Sequence, residues 1–136
     1  MKTKVVKVGI ISRDDYRKRT IAIAKGEHKP GKNEPKVWFE SLSSMAQVLS
    51  SDNQNLLKLI IENQPRSLVE LENISSRKKS NLSRTLKTLE RYGIVSLSKV
   101  EGKLVPKVEA TDFEVQFGLH FGGVDSNKPD AAVRSA

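Results

Sequence analysis

The chain contains no cysteine. That absence removes disulfides, thiol catalysis and cysteine-ligated zinc together. Histidine is nearly as scarce. His28 falls in a loop and His120 stands between Leu119 and Phe121, neither within an HExxH pattern. No acidic pair stands at catalytic spacing, and no glycine pattern cradles a phosphate. The sequence therefore offers no catalytic residue, no metal site and no cofactor motif. Aromatic residues number seven, most at apparent core positions, so the stacking platform of a single-strand RNA binder is missing. Apolar runs are only a few residues long and none approaches a membrane span. The opening MKTKVVKVGII is basic then apolar, as in a signal peptide, but Lys7 interrupts it and Arg13, Asp14 and Asp15 follow at once. The expectation is a cytoplasmic protein without membrane contact. In such a protein the sequons at Asn73 and Asn81 carry no meaning.

What the chain has in excess is positive charge. Its 136 residues suffice for one domain with a small extension, and they carry a net charge of +8 with a pI near 9.8. A domain this basic is a candidate for nucleic acid or an anionic surface. The charge falls in blocks. Residues 1–36 hold 11 basic and 4 acidic side chains, and residues 77–107 hold 9 and 2, so each block is net +7. Residues 37–76 and 108–136 are each net −3.

The second block holds the stretch RKKSNLSRTLKTLERY, Arg77 to Tyr92. Leu82, Leu86 and Leu89 repeat at helical spacing and form one apolar stripe. Ser80, Arg84, Lys87 and Arg91 repeat on the other side. Arg77, Lys78 and Lys79 crowd the amino end, where the helix dipole is already positive and an anionic partner is favoured. A core-facing leucine stripe under a basic face is what a DNA-recognition helix requires; the alternative is a basic, solvated surface helix.

The rest of the chain gives this helix a setting. Residues 4–11 predict a strand, and Ser12 with Asp14 and Asp15 starts a helix ending near Gly26, with Tyr16, Ile21 and Ile23 or Ala24 as its apolar positions. EHKPGKNEPK, residues 27–36, is a loop. Val37-Trp38-Phe39 is a short extended run, and Ser41 caps a helix over Leu42, Met45, Val48 and Leu49. Ser51 to Gln54 and Ser67 to Glu70 read as capping boxes. The first opens a helix with Leu56, Leu57, Ile60 and Ile61 inward, ended by Asn63-Gln64-Pro65. The second opens a short helix through Leu71 and Ile74. After a turn at Ser75-Ser76 comes the basic helix, ended at Gly93. Two strand-like runs, Val95 to Val100 and Lys103 to Val108, flank Glu101-Gly102, a two-residue hairpin signal. Phe113, Val115 and Phe117 alternate as a last strand. From Gly122 on the composition predicts a disordered tail.

The fold class expected is α+β: a winged helix-turn-helix with an N-terminal strand-helix extension and a C-terminal strand. The expected organisation is an extension over 1–40, a DNA-binding domain over 41–119 and a tail over 120–136. The candidate DNA-binding residues are Arg77, Lys78, Lys79, Ser80, Asn81, Arg84, Lys87, Arg91, Lys99 and Lys103. Arg84 has the chemistry to pair with guanine and Asn81 with adenine. Lys87 and Arg91 suit backbone phosphate, and Lys99 and Lys103 suit a wing on the minor groove or its phosphates. The alternatives are solubility for each lysine and helix capping for Ser80 and Asn81.

The run SLVELENISSRKKSNLSRTLKTLERYGIVSLSKVEGKLVPKV, Ser67 to Val108, resembles winged helix-turn-helix transcriptional regulators of the MarR-like kind. More narrowly, with VWFESLSSMAQVLS before it and FEVQF after it, the chain resembles small prokaryotic predicted regulators that begin with a strand-helix extension, over residues 4–119. Such proteins are similar to DNA-binding antitoxins of toxin–antitoxin pairs. The resemblance implies a transcriptional regulator acting on double-stranded DNA, with a cognate toxin as a further partner. It departs from MarR proteins in lacking long dimerising helices at both ends and a ligand-pocket signature, which speaks against small-molecule sensing. Regulators of this kind work as dimers on paired half-sites. The strand over 4–11 and the helix after it are the spare parts for a homodimer or a partner, unless they pack on their own domain. Arg13, Arg17, Lys18 and Arg19 offer a second phosphate contact. The competing class is a winged-helix protein-interaction module without sequence-specific DNA binding.

Overall fold

The computed structural model describes residues 3–119. His120 and the tail expected over 120–136 lie outside the described residues. Within them the chain runs β1 (Val5–Ile10), α1 (Arg13–Ala24), β2 (Val37–Phe39), α2 (Leu42–Val48), α3 (Ser51–Asn63), α4 (Leu68–Ser75), α5 (Lys79–Arg91), β3 (Val95–Val100), β4 (Lys103–Val108) and β5 (Asp112–Gln116). The class is α+β, with a three-stranded parallel sheet in the order β2-β1-β5 and an antiparallel hairpin, β3-β4.

The valines and isoleucines of β1 make it the middle strand. Val8 and Ile10 stand opposite Val37 and Phe39 on one side, and Val6 and Val8 stand opposite Phe113 and Val115 on the other. Of the alternatives for the first strand, a second copy, a partner or its own domain, the strand takes its own domain: both of its edges are bonded within the chain. Val6, Val8 and Ile10 turn one face of the sheet to the core, where Val37 and Phe39 join them. On that face lie Leu56, Leu57 and Ile60 of α3, Leu71 of α4, the leucines of α5, and Ile94, Val95 and Val108 from the hairpin region. Each fully buried leucine contributes about 1.5–3 kcal/mol by leaving water.

The caps follow the serines, with one shift. Ser12 accepts the Asp15 amide, and Ser41 and Ser44 form a reciprocal box. The α3 cap is Ser50, which accepts the Asn53 amide at 3.2 Å, and Ser51 is already helical. Adjacent serines compete for one cap, and the extended backbone of Ser50 decides it. Ser67 accepts the Glu70 amide at 3.1 Å, but among the described residues the Glu70 carboxylate returns no bond, so this box is half formed.

The other face of the sheet carries α1 loosely. No residue of α1 is buried, and its expected apolar positions Tyr16 and Ile21 are 43% and 47% exposed. What holds it is Trp38. The Arg19 guanidinium lies 4.8 Å from the Trp38 ring centroid, and the Tyr16 and Trp38 rings meet at 6.3 Å. Arg19 also donates to Glu34 at 2.7 Å, and His28 Nε2 lies 2.8 Å from the other Glu34 oxygen. The loop over 27–36 is therefore tied to α1 through one carboxylate. Burial alone pushes the Glu34 pKa up. The Arg19 hydrogen bond, the charges of His28 and Arg19 and the His28 hydrogen bond together outweigh it and hold the group below its ordinary 4.5.

Two predictions follow from this packing. A Cβ on Gly9 would sit 2.5 and 2.7 Å from Trp38 ring carbons and 2.9 Å from Pro35 Cγ. Gly9→Ala should cost about 1–3 kcal/mol in chemical denaturation and shift the Trp38 emission, since the ring must move. An unchanged midpoint would contradict the packing. Because Glu34 is depressed in the fold, its stabilising share is complete above the ordinary value and is lost as pH falls through the lowered one. Acidification should therefore lower the melting midpoint less in Glu34→Gln than in the unaltered chain; parallel acid curves would show that the carboxylate contributes nothing.

Candidate nucleic-acid interface

The leucine stripe is wholly internal: Leu82, Leu86 and Leu89 are each 0% exposed. That burial fixes the rotation of α5 and leaves Ser80, Asn81, Arg84, Lys87 and Arg91 exposed. Lys78 is the N-cap residue, with no side-chain cap bond. Ser80 and Asn81 lie inside the first turn, so the capping alternative for them is excluded. The amide of Lys79 instead donates to Glu72 Oε2 at 3.2 Å. A carboxylate from α4 thus meets the positive end of α5 and offsets part of the cost of its lysines.

Arg77 has a different task from its neighbours. Its Nη2 donates to the Asp52 carbonyl at 2.7 Å and its Nη1 to Asn53 Oδ1 at 3.3 Å. It braces the entry of α5 against the first turn of α3. No such partner holds the side chains of Lys78, Lys79, Ser80, Asn81, Arg84, Lys87, Lys99 or Lys103 among the described residues. Arg91 stands at the far end of α5, its guanidinium 5.6 Å from the Tyr92 ring centroid.

The amino-terminal half of α5 borders two hollows. One, of about 610 Å³, is walled by the α3 cap Ser50, by Asp52 and Asn53 on α3 and by Lys78, Asn81, Arg84 and Thr85. The other, of about 480 Å³, brings Lys79 together with Lys99 and Lys103 of the hairpin and with Ser67 and Val69 of α4. The hairpin turn is the tight one expected: Glu101 and Gly102 have φ of 53° and 76°, the backbone a two-residue primed turn requires. Sequence reasoning missed Asn53, Thr85, Ser67 and Val69. Thr85 was within reach, four residues after Asn81 on one helix face. Asn53, Ser67 and Val69 arrive only by tertiary packing.

The HVO_A0114 family model matches residues 48–115, half of the chain. The chain belongs to the HVO_A0114 family. No curated protein and no solved structure matches it. The HVO_A0114 match begins on the last residue of α2 and ends within β5, so it contains both hollows and α5 entire. It leaves β1, α1 and β2 outside. Among the described residues no helix is long and apolar enough to cross a membrane.

The two arginines of this surface separate by experiment. Arg77→Ala should lower stability by about 1 kcal/mol through lost hydrogen bonds, read as a drop of a few degrees in the melting midpoint. Arg84→Ala should stay within about 0.5 kcal/mol, as an unpartnered surface residue does. Equal losses would show that Arg77 is not a brace.

Proposed function

We propose that the chain is a sequence-specific double-stranded DNA-binding transcriptional regulator of the MarR-like winged helix-turn-helix kind. In this reading α3, α4 and α5 are the helical unit, α5 enters the major groove, and the β3-β4 hairpin is the wing on flanking groove or phosphate. One observation carries the reading. The face of α5 opposite its buried leucines holds Asn81, Arg84 and Lys87 without internal partners, and Lys79 meets Lys99 and Lys103 beside it. Unpaired groups able to read base edges, next to clustered lysines able to hold phosphate, are what recognition of duplex DNA needs. Arg77 contributes by positioning the helix, and Lys78 and Lys79 by approaching phosphate. A second copy on a paired half-site would dock through surfaces other than β1, whose edges are taken.

The test is an anisotropy titration with duplex DNA from the region upstream of the protein's own reading frame. Arg84→Ala should lower specific affinity by about 1–3 kcal/mol and relax one base position. Lys99→Ala with Lys103→Ala should weaken all sequences alike and reduce the salt slope by about two contacts. No retention of duplex DNA at low salt would sink the regulator in favour of a protein-docking module.

A further inference from the structure

We propose that the cleft between β2, the β1–α1 connection and the end of α5 binds a small aromatic anion: a flat ring bearing a carboxylate or a phosphate. The cleft, open to solvent, offers about 340 Å³, room for a one- or two-ring molecule. It runs along β2, an edge strand of the sheet, from Lys36 to Glu40, with Ile11 of the β1–α1 connection and Arg13 at the start of α1 beside it. Its composition is unlike the rest of the molecule. The chain has seven aromatic residues, and four of them, Tyr16, Trp38, Phe39 and Tyr92, line this one cleft. Phe39 is fully buried and stacks on Tyr92 with centroids 4.4 Å apart, making a rigid apolar floor. On the other side of β2, Tyr16 and Trp38 form a tilted pair.

The rim supplies the sign of the charge. Arg13, Lys36 and Arg91 reach the cleft against a single carboxylate, Glu40. Glu40 pairs with Arg13 at 3.5 Å, which leaves Lys36 and Arg91 without an ion-pair partner among the described residues. An aromatic ring matches the walls, and an acidic substituent matches the two remaining cations. The inference does not rest on the DNA reading, because the cleft can be tested with no DNA present.

Trp38 is the only tryptophan, so its emission reports the cleft directly. The full chain is titrated with benzoate and, separately, with adenosine 5′-monophosphate. Their neutral counterparts, benzamide and adenosine, serve as controls. One of the two anions should give a saturable change in emission, with its neutral counterpart at least about tenfold weaker, and which anion saturates distinguishes a carboxylate from a phosphate ligand. Lys36→Gln and Arg91→Gln should each weaken that titration about tenfold or more, whereas Lys58→Gln, exposed on α3 and outside the cleft, should leave it unchanged. Saturation by neither anion, equal binding of the neutral molecules, or indifference to both cleft substitutions overturns the proposal. Should a substituted chain fail to melt cooperatively, the comparison of anion with neutral molecule on the unaltered chain decides alone.

Discussion

Strand β1 is bonded along both edges to parallel partners, and the arrangement of everything else depends on it. A parallel pair cannot be closed by a tight turn and needs a crossover between its strands. For β1 and β2 that crossover is α1. For β1 and β5 it is nearly the whole remaining chain: all of α2 to α5 and the hairpin lie between β2 and β5. The helical unit is thus held at both ends by one strand. The seam is closed where the Lys4 amide donates to Thr111 Oγ1 at 2.7 Å and the Thr111 amide donates back to the Lys4 carbonyl at 2.9 Å. Contacts this distant in sequence carry a loop-closure cost that the helices and the hairpin do not share.

The scarcity of aromatic residues acquires a meaning in this frame. Phe39 ends β2 on the core face of the sheet, and Tyr92 caps α5. Their stacked rings join the sheet to the last turn of the helix. The Ile11 amide donates to the Phe39 carbonyl at 2.9 Å, so the same residue also fixes the exit of β1. The carboxyl end of β2 is therefore joined to the end of α5 by one packed contact. Phe39 and Tyr92 of that joint also line the cleft.

Where the sequence was legible, local chemistry decides the structure. The four- and three-residue spacing of Leu82, Leu86 and Leu89 permits one helix face, and Glu101-Gly102 permits the positive φ of a two-residue turn, so α5 and the hairpin appear as read. Ser41 and Ser67 cap as expected because extended backbone and a hydroxyl suffice. What stayed hidden depends on partners far along the chain. Alternation marks β1 and β5 as strands, but nothing in either names the other as its neighbour or fixes the parallel direction. Arg77 reads as one more cation of a basic run until α3 brings Asp52 and Asn53 beside it. The joining of Arg19, His28 and Glu34 has no spacing signature, since a folded loop makes it.

The two basic blocks, equal in formal charge, end up differently. Among the described residues the first block meets acids: Lys4 pairs with Glu109 at 3.4 Å, Arg13 with Glu40 at 3.5 Å, and Arg19 with Glu34 at 2.7 Å. The acidic stretches of the chain thus serve in part to neutralise its amino-terminal third. The block over 77–107 meets none. Its one tethered cation, Arg77, rests on a carbonyl and an amide oxygen and keeps its charge uncompensated. Glu72 of α4 is taken by the Lys79 amide and not by a lysine side chain. Net charge therefore understates the asymmetry of the surface. Opposite charges a few ångströms apart cancel beyond a Debye length, about 8–10 Å at physiological salt, while the unpaired cations of α5 and the hairpin add. The positive field around α5 and the hairpin is therefore theirs.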